Sequence, residues 1–409
     1  MTKKRAHGDG GIDPRGPDTW RLRYRVNQQR FTKTFHGSLG EARKELRRLI
    51  RSGDTGEHVA PDKVTVAQWV DRWIALLKRQ PNEEAGEGSK KRKRGLVNPR
   101  TLERYEELLR CHVKSTLGAR PLQHLQASEL DDLYVKLEKK LATRTVHHVH
   151  TVLGACLKAA ARKGLMIASP TLRAEAPVPG ESEAGTVLEE DQLRTLVEGY
   201  RGSVLFPIVA VAAFTGARRT EILGLWWTDL DAKNKTLRIE RAVEQTKEYG
   251  LNLKEPKRAR HKRTITIDDD LIALLLAERE KHLRIKAGVP DGAAVDLSLV
   301  KLPDDALMFP NPPAPGESFS FTGLRNPDNT TKEFVRKAAK LGFPGLRLHD
   351  LRGTHETLLL DRGVPVHVVA ARCAHDPAVL LRIYAKRTRK ADTSAAAVIG
   401  ALSKGVLGS

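Results

Sequence analysis

The chain has 409 residues, 40% of them hydrophobic, with 71 Lys and Arg against 50 Asp and Glu, a net charge of +21. That length exceeds one compact core and predicts two to four domains, while no apolar run approaches the roughly 18 residues a membrane span needs. The basic excess is spread along the chain and predicts a polyanionic partner. An aromatic content of only 5% argues against a base-stacking single-strand binder and favours double-stranded DNA.

In chain order, residues 1–57 read as a small basic unit. "TWRLRYRV" and "QQRFTKTFHG" alternate with the period of strands, with "NQQ" as the turn between them. "SLGEARKELRRLIRSG" reads as a helix capped by Ser38 and ending near Gly53. Arg21, Arg23, Arg25, Arg30 and Lys33 then suit a sheet that reads DNA. Residues 64–168 read as an all-helical unit. "TVAQWVDRWIALLKR" opens it with Val66, Trp69, Val70 and Trp73 on one stripe. A Gly-, Pro- and charge-rich insertion at 79–98 interrupts it, and three helical patterns follow, the first of them "TLERYEELLRCHVKSTLG". The "KKRKR" run inside the insertion reads as a solvated loop. Residues 169–186 read as a linker. From 187, "EEDQLRTLVEGY" and the almost wholly apolar "GSVLFPIVAVAAF" are helical, and "KTLRIERAVE" and "KRTITI" are strand-like. Three more helical segments follow, and the tail 393–409 is a short apolar stretch rich in small residues. The fold class expected is multidomain, mainly α with small β-sheets.

Four segments of the last unit carry chemistry-bearing residues. "TGARRTEILGLWWTD" sets Arg218 and Glu221 three apart on one face, the carboxylate orienting the guanidinium. "LKEPKRARHKRTITI" is a basic hairpin tip holding Lys254, Lys257, Arg258, Arg260, Lys262 and Arg263, able to enter a groove or reach a phosphate. "RLHDLRGTHE" places His349 and Arg352 on one helical face, with Asp350 as an orienting or capping carboxylate. "CAHDPAVLLRIYAKR" holds His375, a helix start at Asp376-Pro377, and Tyr384. A straight helix would separate His375 from Tyr384 by about 13 Å, so they meet only if the chain bends or Tyr384 moves.

Taken in this order and spacing, the four segments closely resemble the tyrosine recombinases, the phage integrase family. Leu225, Trp227 and Asp229 after the first Arg and "LLLDRGVP" after the second extend the likeness to roughly residues 64–395. Residues 1–57 look like that family's arm-binding domain, 64–168 like its core-site domain and 187–392 like its catalytic domain. The resemblance implies Arg218, Lys257, His349, Arg352 and His375 as catalytic groups around the nucleophile Tyr384. The place after Pro256 selects Lys257 over Lys254 and Lys262. Two positions depart from the pattern: Ala374 stands where Gly is usual before the last His, and Gly353 where a His often follows the second Arg.

The chemistry suits these residue types. A Tyr hydroxyl, with an ordinary pKa near 10, needs a base and an electrophilic phosphate. Two permanently charged guanidiniums supply the second need, and a His the first. The resemblance implies a 3′-phosphotyrosine intermediate, a free 5′-hydroxyl, a homotetramer on core and arm-type sites of a mobile element, and an excision factor or DNA-bending protein as accessory. It also implies a cytoplasmic, nucleoid-associated enzyme with no membrane partner. No cofactor is expected: neither clustered carboxylates for a metal nor a nucleotide-binding Gly loop appears. Cys111, Cys156 and Cys373 are too few and too far apart for a disulfide framework or a zinc site. Two other functions compete, a type IB topoisomerase-like enzyme and a catalytically inactive DNA-binding regulator.

Overall fold

The computed structural model describes residues 10–26, 29–54, 63–78, 97–180, 185–254, 262–378 and 380–381. The chain divides into two compact units, Met1–Ser182 and Glu183–Ser409. Among the described residues no helix is long and apolar enough to cross a membrane.

The first unit begins with a three-stranded antiparallel meander, β1 (Gly11–Gly16), β2 (Thr19–Val26) and β3 (Gln29–His36), followed by α1 (Leu39–Asp54). Alternation along β2 sends Leu22 and Tyr24 into a small core with Ala42, Leu46 and Leu49 of α1. Arg21, Arg23 and Arg25 therefore share the opposite face, joined by Arg30, the cross-strand partner of Arg25. Lys33 stands apart from this group. It pairs across the sheet with Leu22, so it stands on the helix side, where its Nζ meets Glu45 at 2.8 Å. Ser38 and Glu41 cap α1 reciprocally, Ser38 N–H donating to Glu41 and Glu41 N–H to Ser38 Oγ.

A helical core of its own follows in the same unit, built by α2 (Val66–Lys78), α3 (Pro99–Leu108), α4 (Ser115–Leu117), α5 (Ala127–Glu138) and α6 (Thr143–Arg162). Trp69 is wholly buried and its indole donates to the Cys156 carbonyl at 3.0 Å, tying α2 to α6. The pattern from Thr101 predicts one regular helix, but a wider π turn spans Leu109–Lys114 between α3 and α4. Leu109 and Val113 of that turn are buried in the same core.

The second unit packs α7 (Glu190–Gly199), α8 (Phe206–Thr215), α9 (Arg219–Ile222), α10 (Asp269–Ala287), α11 (Pro327–Lys340) and α12 (Asp350–Asp361) around one core, while Val369 and Ala370 of α13 (Val366–Cys373) form a smaller cluster with Leu380. Helix α8 is buried on nearly every side, as its unbroken apolar sequence requires. Gly363, at φ +79°, and Pro365 separate α12 from α13. Strands β4 (Leu230–Asp231), β5 (Thr236–Ile239) and β8 (Arg263–Thr266) form one antiparallel sheet, and β6 (Ala242–Thr246) and β7 (Gly250–Lys254) a separate hairpin. The basic connection itself, at 255–261, lies outside the described residues. It joins β7 of one sheet to β8 of the other, and Lys254 belongs to β7, paired with Glu244 at 3.0 Å.

Candidate active site

The site grows from the end of α8. Gly216 terminates that helix in the left-handed region at φ +63°, where an added Cβ would lie 2.7 Å from His355 and 2.9 Å from the Cys373 sulfur. Only glycine fits there. The turn delivers Arg218 to the N-terminus of α9. Its backbone N–H donates to Glu221 Oε2 at 2.9 Å and its Nη1 to Oε1 at 2.8 Å. Glu221 is 4% exposed and also receives Arg263 Nη2 at 2.9 Å. Burial pushes its pKa up, but Arg263 and Arg218 prevail and hold it at about 2.

Arg352, 3% exposed, comes from the first turn of α12. Its Nη1 donates to the Gly216 carbonyl at 2.8 Å, its Nη2 donates to the Cys373 carbonyl, and its Nε lies 3.2 Å from Glu356. Arg218 Nη2 donates to the next carbonyl, that of Ala374, at 3.0 Å. Two guanidiniums from different helices thus converge on consecutive carbonyls at the C-terminus of α13, where helix acceptors lack intrahelical partners. His375 follows at once, its Nδ1 3.0 Å from Glu356 Oε1. His349 sits at the N-terminus of α12, one turn before Arg352. Burial of its ring and the nearby Arg352 lower its pKa, so the imidazole is neutral at pH 7 and able to accept a proton.

The structure therefore brings Arg218, Glu221, His349, Arg352 and His375 together. Asp350 turns elsewhere, its carboxylate accepting from the Arg347 backbone at 2.8 Å and from the Arg347 guanidinium. Lys257, Arg258, Arg260, Tyr384 and the tail 393–409 lie outside the described residues. The helix start at Asp376-Pro377 is present, with Asp376 accepting from Ala378 and Leu380, so His375 stands just before that helix. Sequence reasoning missed Arg263 and Glu356 as parts of this cluster. Arg263 is almost buried and donates through Nε to the Arg372 carbonyl at 2.7 Å. Glu356, four residues after Arg352, had a readable signal in the i,i+4 Arg–Glu spacing. Among the described residues no group of His, Cys, Asp and Glu is arranged to hold a metal ion. Burial pushes the Cys373 thiol up to about 12, which leaves it unreactive.

The model of the phage integrase family matches residues 186–390, half of the chain and all of this cluster. The chain belongs to the phage integrase family. It is a tyrosine-type site-specific recombinase, an enzyme that breaks and rejoins DNA strands. A "Tyrosine recombinase XerC-like" protein of Caldanaerobacter subterraneus subsp. tengcongensis is 24% identical over 90% of this chain and 91% of its own. An integrase of Streptomyces ambofaciens is 24% identical over 99% of both chains. Among solved structures, the Tn1549 transposon integrase in complex with a circular intermediate DNA superposes with a TM-score of 0.61 at 17% identity, covering 82% of this chain and 99% of that one. A lambda integrase dimer bound to a core site gives 0.56 at 14% identity, covering 94% and 97%. These likenesses show that the recombinase fold extends across both units.

The departure at Ala374 has a structural consequence in this recombinase. Ala374 ends α13 in the left-handed region at φ +48°, where a Cβ is strained. Ala374→Gly is expected to stabilise the protein by about 1 kcal/mol, net of glycine's greater chain entropy, and to raise the melting temperature by roughly 2–4 °C. Thermal melts of the two proteins check this, with the cleavage rate expected to stay at the parent value because the carbonyl that meets Arg218 is kept.

Proposed function

We propose that Arg218 and Arg352 clamp the scissile phosphate of a DNA attachment site while Tyr384 attacks its phosphorus. The observation that carries this reading is the convergence of the two guanidiniums on the Cys373 and Ala374 carbonyls, beside His375. A phosphate brings two or three stronger, charged acceptors to the same donors. Their value is greatest in the pentacoordinate transition state, where charge on the non-bridging oxygens grows. His349 takes the Tyr384 proton as the O–P bond forms, and Lys257 gives a proton to the leaving 5′ oxygen as the P–O bond breaks. The products are a 3′-phosphotyrosine and a free 5′-hydroxyl. Attack by a 5′-hydroxyl of a second duplex reverses the step and joins new partners.

In the same reading residues 1–57 bind arm-type sites through Arg21, Arg23, Arg25 and Arg30, with Lys33 committed to Glu45 and Arg23 shared with Asp13. Residues 64–168 bind the core site, 169–186 link, and 187–392 catalyse, with Arg258 and Arg260 near the DNA backbone. The enzyme works as a homotetramer in the cytoplasm, at the nucleoid, integrating or excising a mobile element with an accessory bending or excision factor. A lambda integrase tetramer bound to a Holliday junction shares the fold, with a TM-score of 0.53. The tail 393–409 docks on a neighbouring protomer.

The test uses DNA carrying the recombination site, nicked close to the cleavage point so that the 5′-hydroxyl fragment diffuses away. Without added metal, a protein–DNA adduct resistant to denaturation and mapping to Tyr384 is the expected result. Tight binding to a site known to recombine, with no adduct, would favour the regulator instead.

A further inference from the structure

Glu356 is a buried carboxylate with no part in the steps above. It is 4% exposed and continues the face of α12 that carries His349 and Arg352. One of its oxygens, Oε1, lies 3.2 Å from Arg352 Nε and 3.0 Å from His375 Nδ1. Neither contact has the alignment of a hydrogen bond, and the oxygen lies within ion-pair distance of both groups. Burying a carboxylate is costly unless charged neighbours offset the cost, and here Arg352 does so.

A carboxylate only accepts, so the ring nitrogen facing it carries the proton. Nδ1–H of His375 is thereby turned toward Glu356, and Nε2 lies on the opposite edge of the ring. We infer that Glu356 is the positioning residue of His375, fixing its ring so that Nε2 meets the scissile phosphate. The inference rests on the reading in which His375 and Arg352 bind that phosphate. With a proton on each ring nitrogen, Nδ1–H faces Glu356 and Nε2–H donates to the phosphate. Carboxylates that hold a histidine at a metal site act in the same way, fixing the ring and its protons from behind.

Adduct formation on the nicked substrate is timed for the parent, Glu356→Gln, His375→Ala and the double variant, with DNA affinity and melting temperature measured alongside. Glu356→Gln is expected to slow cleavage about tenfold to a hundredfold. It leaves DNA affinity within about twofold, and slows the His375→Ala enzyme several-fold less than it slows the parent, the remainder being the lost charge beside Arg352. Glu356→Asp keeps the buried charge but withdraws the oxygen from the ring, and slows cleavage while melting near the parent temperature. Equal slowing by Glu356→Gln with and without His375, or no slowing by Glu356→Asp, overturns the inference. A His375→Ala enzyme as fast as the parent overturns the underlying reading of the site, so the two failures are distinguished by that variant.

Discussion

Tyr384→Phe is expected to bind its recombination site with the parent's affinity and to form no covalent adduct with DNA. The substitution removes one oxygen and leaves the ring. If that oxygen is the nucleophile, cleavage falls by a factor on the order of 10⁴ or more, because the remaining groups can only polarise a phosphate that nothing attacks. Binding rests on many phosphate contacts across a strongly basic protein and is insensitive to one hydroxyl. The other tyrosines supply the control. Tyr24, Tyr134 and Tyr200 are buried, and burial raises the pKa of each, which makes their hydroxyls poorer nucleophiles still. Tyr200 also donates to the Phe334 carbonyl at 2.7 Å. Tyr249 is the exposed tyrosine of the catalytic unit's described residues, at the β6–β7 turn. Tyr249→Phe is expected to cleave at the parent rate. An adduct that survives in Tyr384→Phe and disappears in Tyr249→Phe would transfer the nucleophile and discard the mechanism. Gel shift with a labelled site and denaturing electrophoresis read both quantities from one reaction.

Much of this architecture was legible because burial leaves a periodic trace. Leu22 and Tyr24 alternate with arginines in β2, and α8 is apolar throughout, so strand and buried helix could be read directly. Arg218 and Glu221 were legible as a pair because helical spacing puts them on one face. What escaped is the set of partners fixed by tertiary contact. Arg263 looks like one more charge in a basic run, but it is nearly buried against a carboxylate 42 residues away. The Gly216, Cys373 and Ala374 carbonyls that receive Arg352 and Arg218 have no sequence signature at all, since every residue carries a carbonyl. The hairpin β6–β7 was missed because its last residue, Lys254, merges into the basic connection that follows.

Glu221 is where catalytic orientation and stability meet, and Glu221→Gln is expected to damage both. The change leaves the Arg263 guanidinium, 7% exposed, without its counter-charge. Breaking such a buried pair costs about 3–5 kcal/mol, or roughly ten degrees in melting temperature for a domain of this size. Arg218 loses the counter-charge and one of its two Glu221 contacts, since an amide keeps a single acceptor oxygen, and a misplaced clamp costs about a hundredfold in cleavage rate. The stability effect carries a pH signature. The Glu221 pKa is depressed from an ordinary 4.5 to about 2 in the folded protein, against the opposing push of burial. Its contribution is therefore fully present above pH 4.5 and disappears as the pH falls toward 2. At 1.36 kcal/mol for each tenfold step in affinity for the proton, that difference amounts to about 3 kcal/mol. Glu45 is likewise held at about 2, chiefly by its hydrogen bond to Arg48, so acid weakens the parent through more than one carboxylate. The difference between the parent and Glu221→Gln isolates this one. Denaturant melts from pH 7 to pH 2 should show the two stability curves far apart at neutral pH and converging in acid. Curves that stay parallel would mean that Glu221 is not ionised against Arg263 and Arg218, and the charge network that aims the first arginine would have to be redrawn.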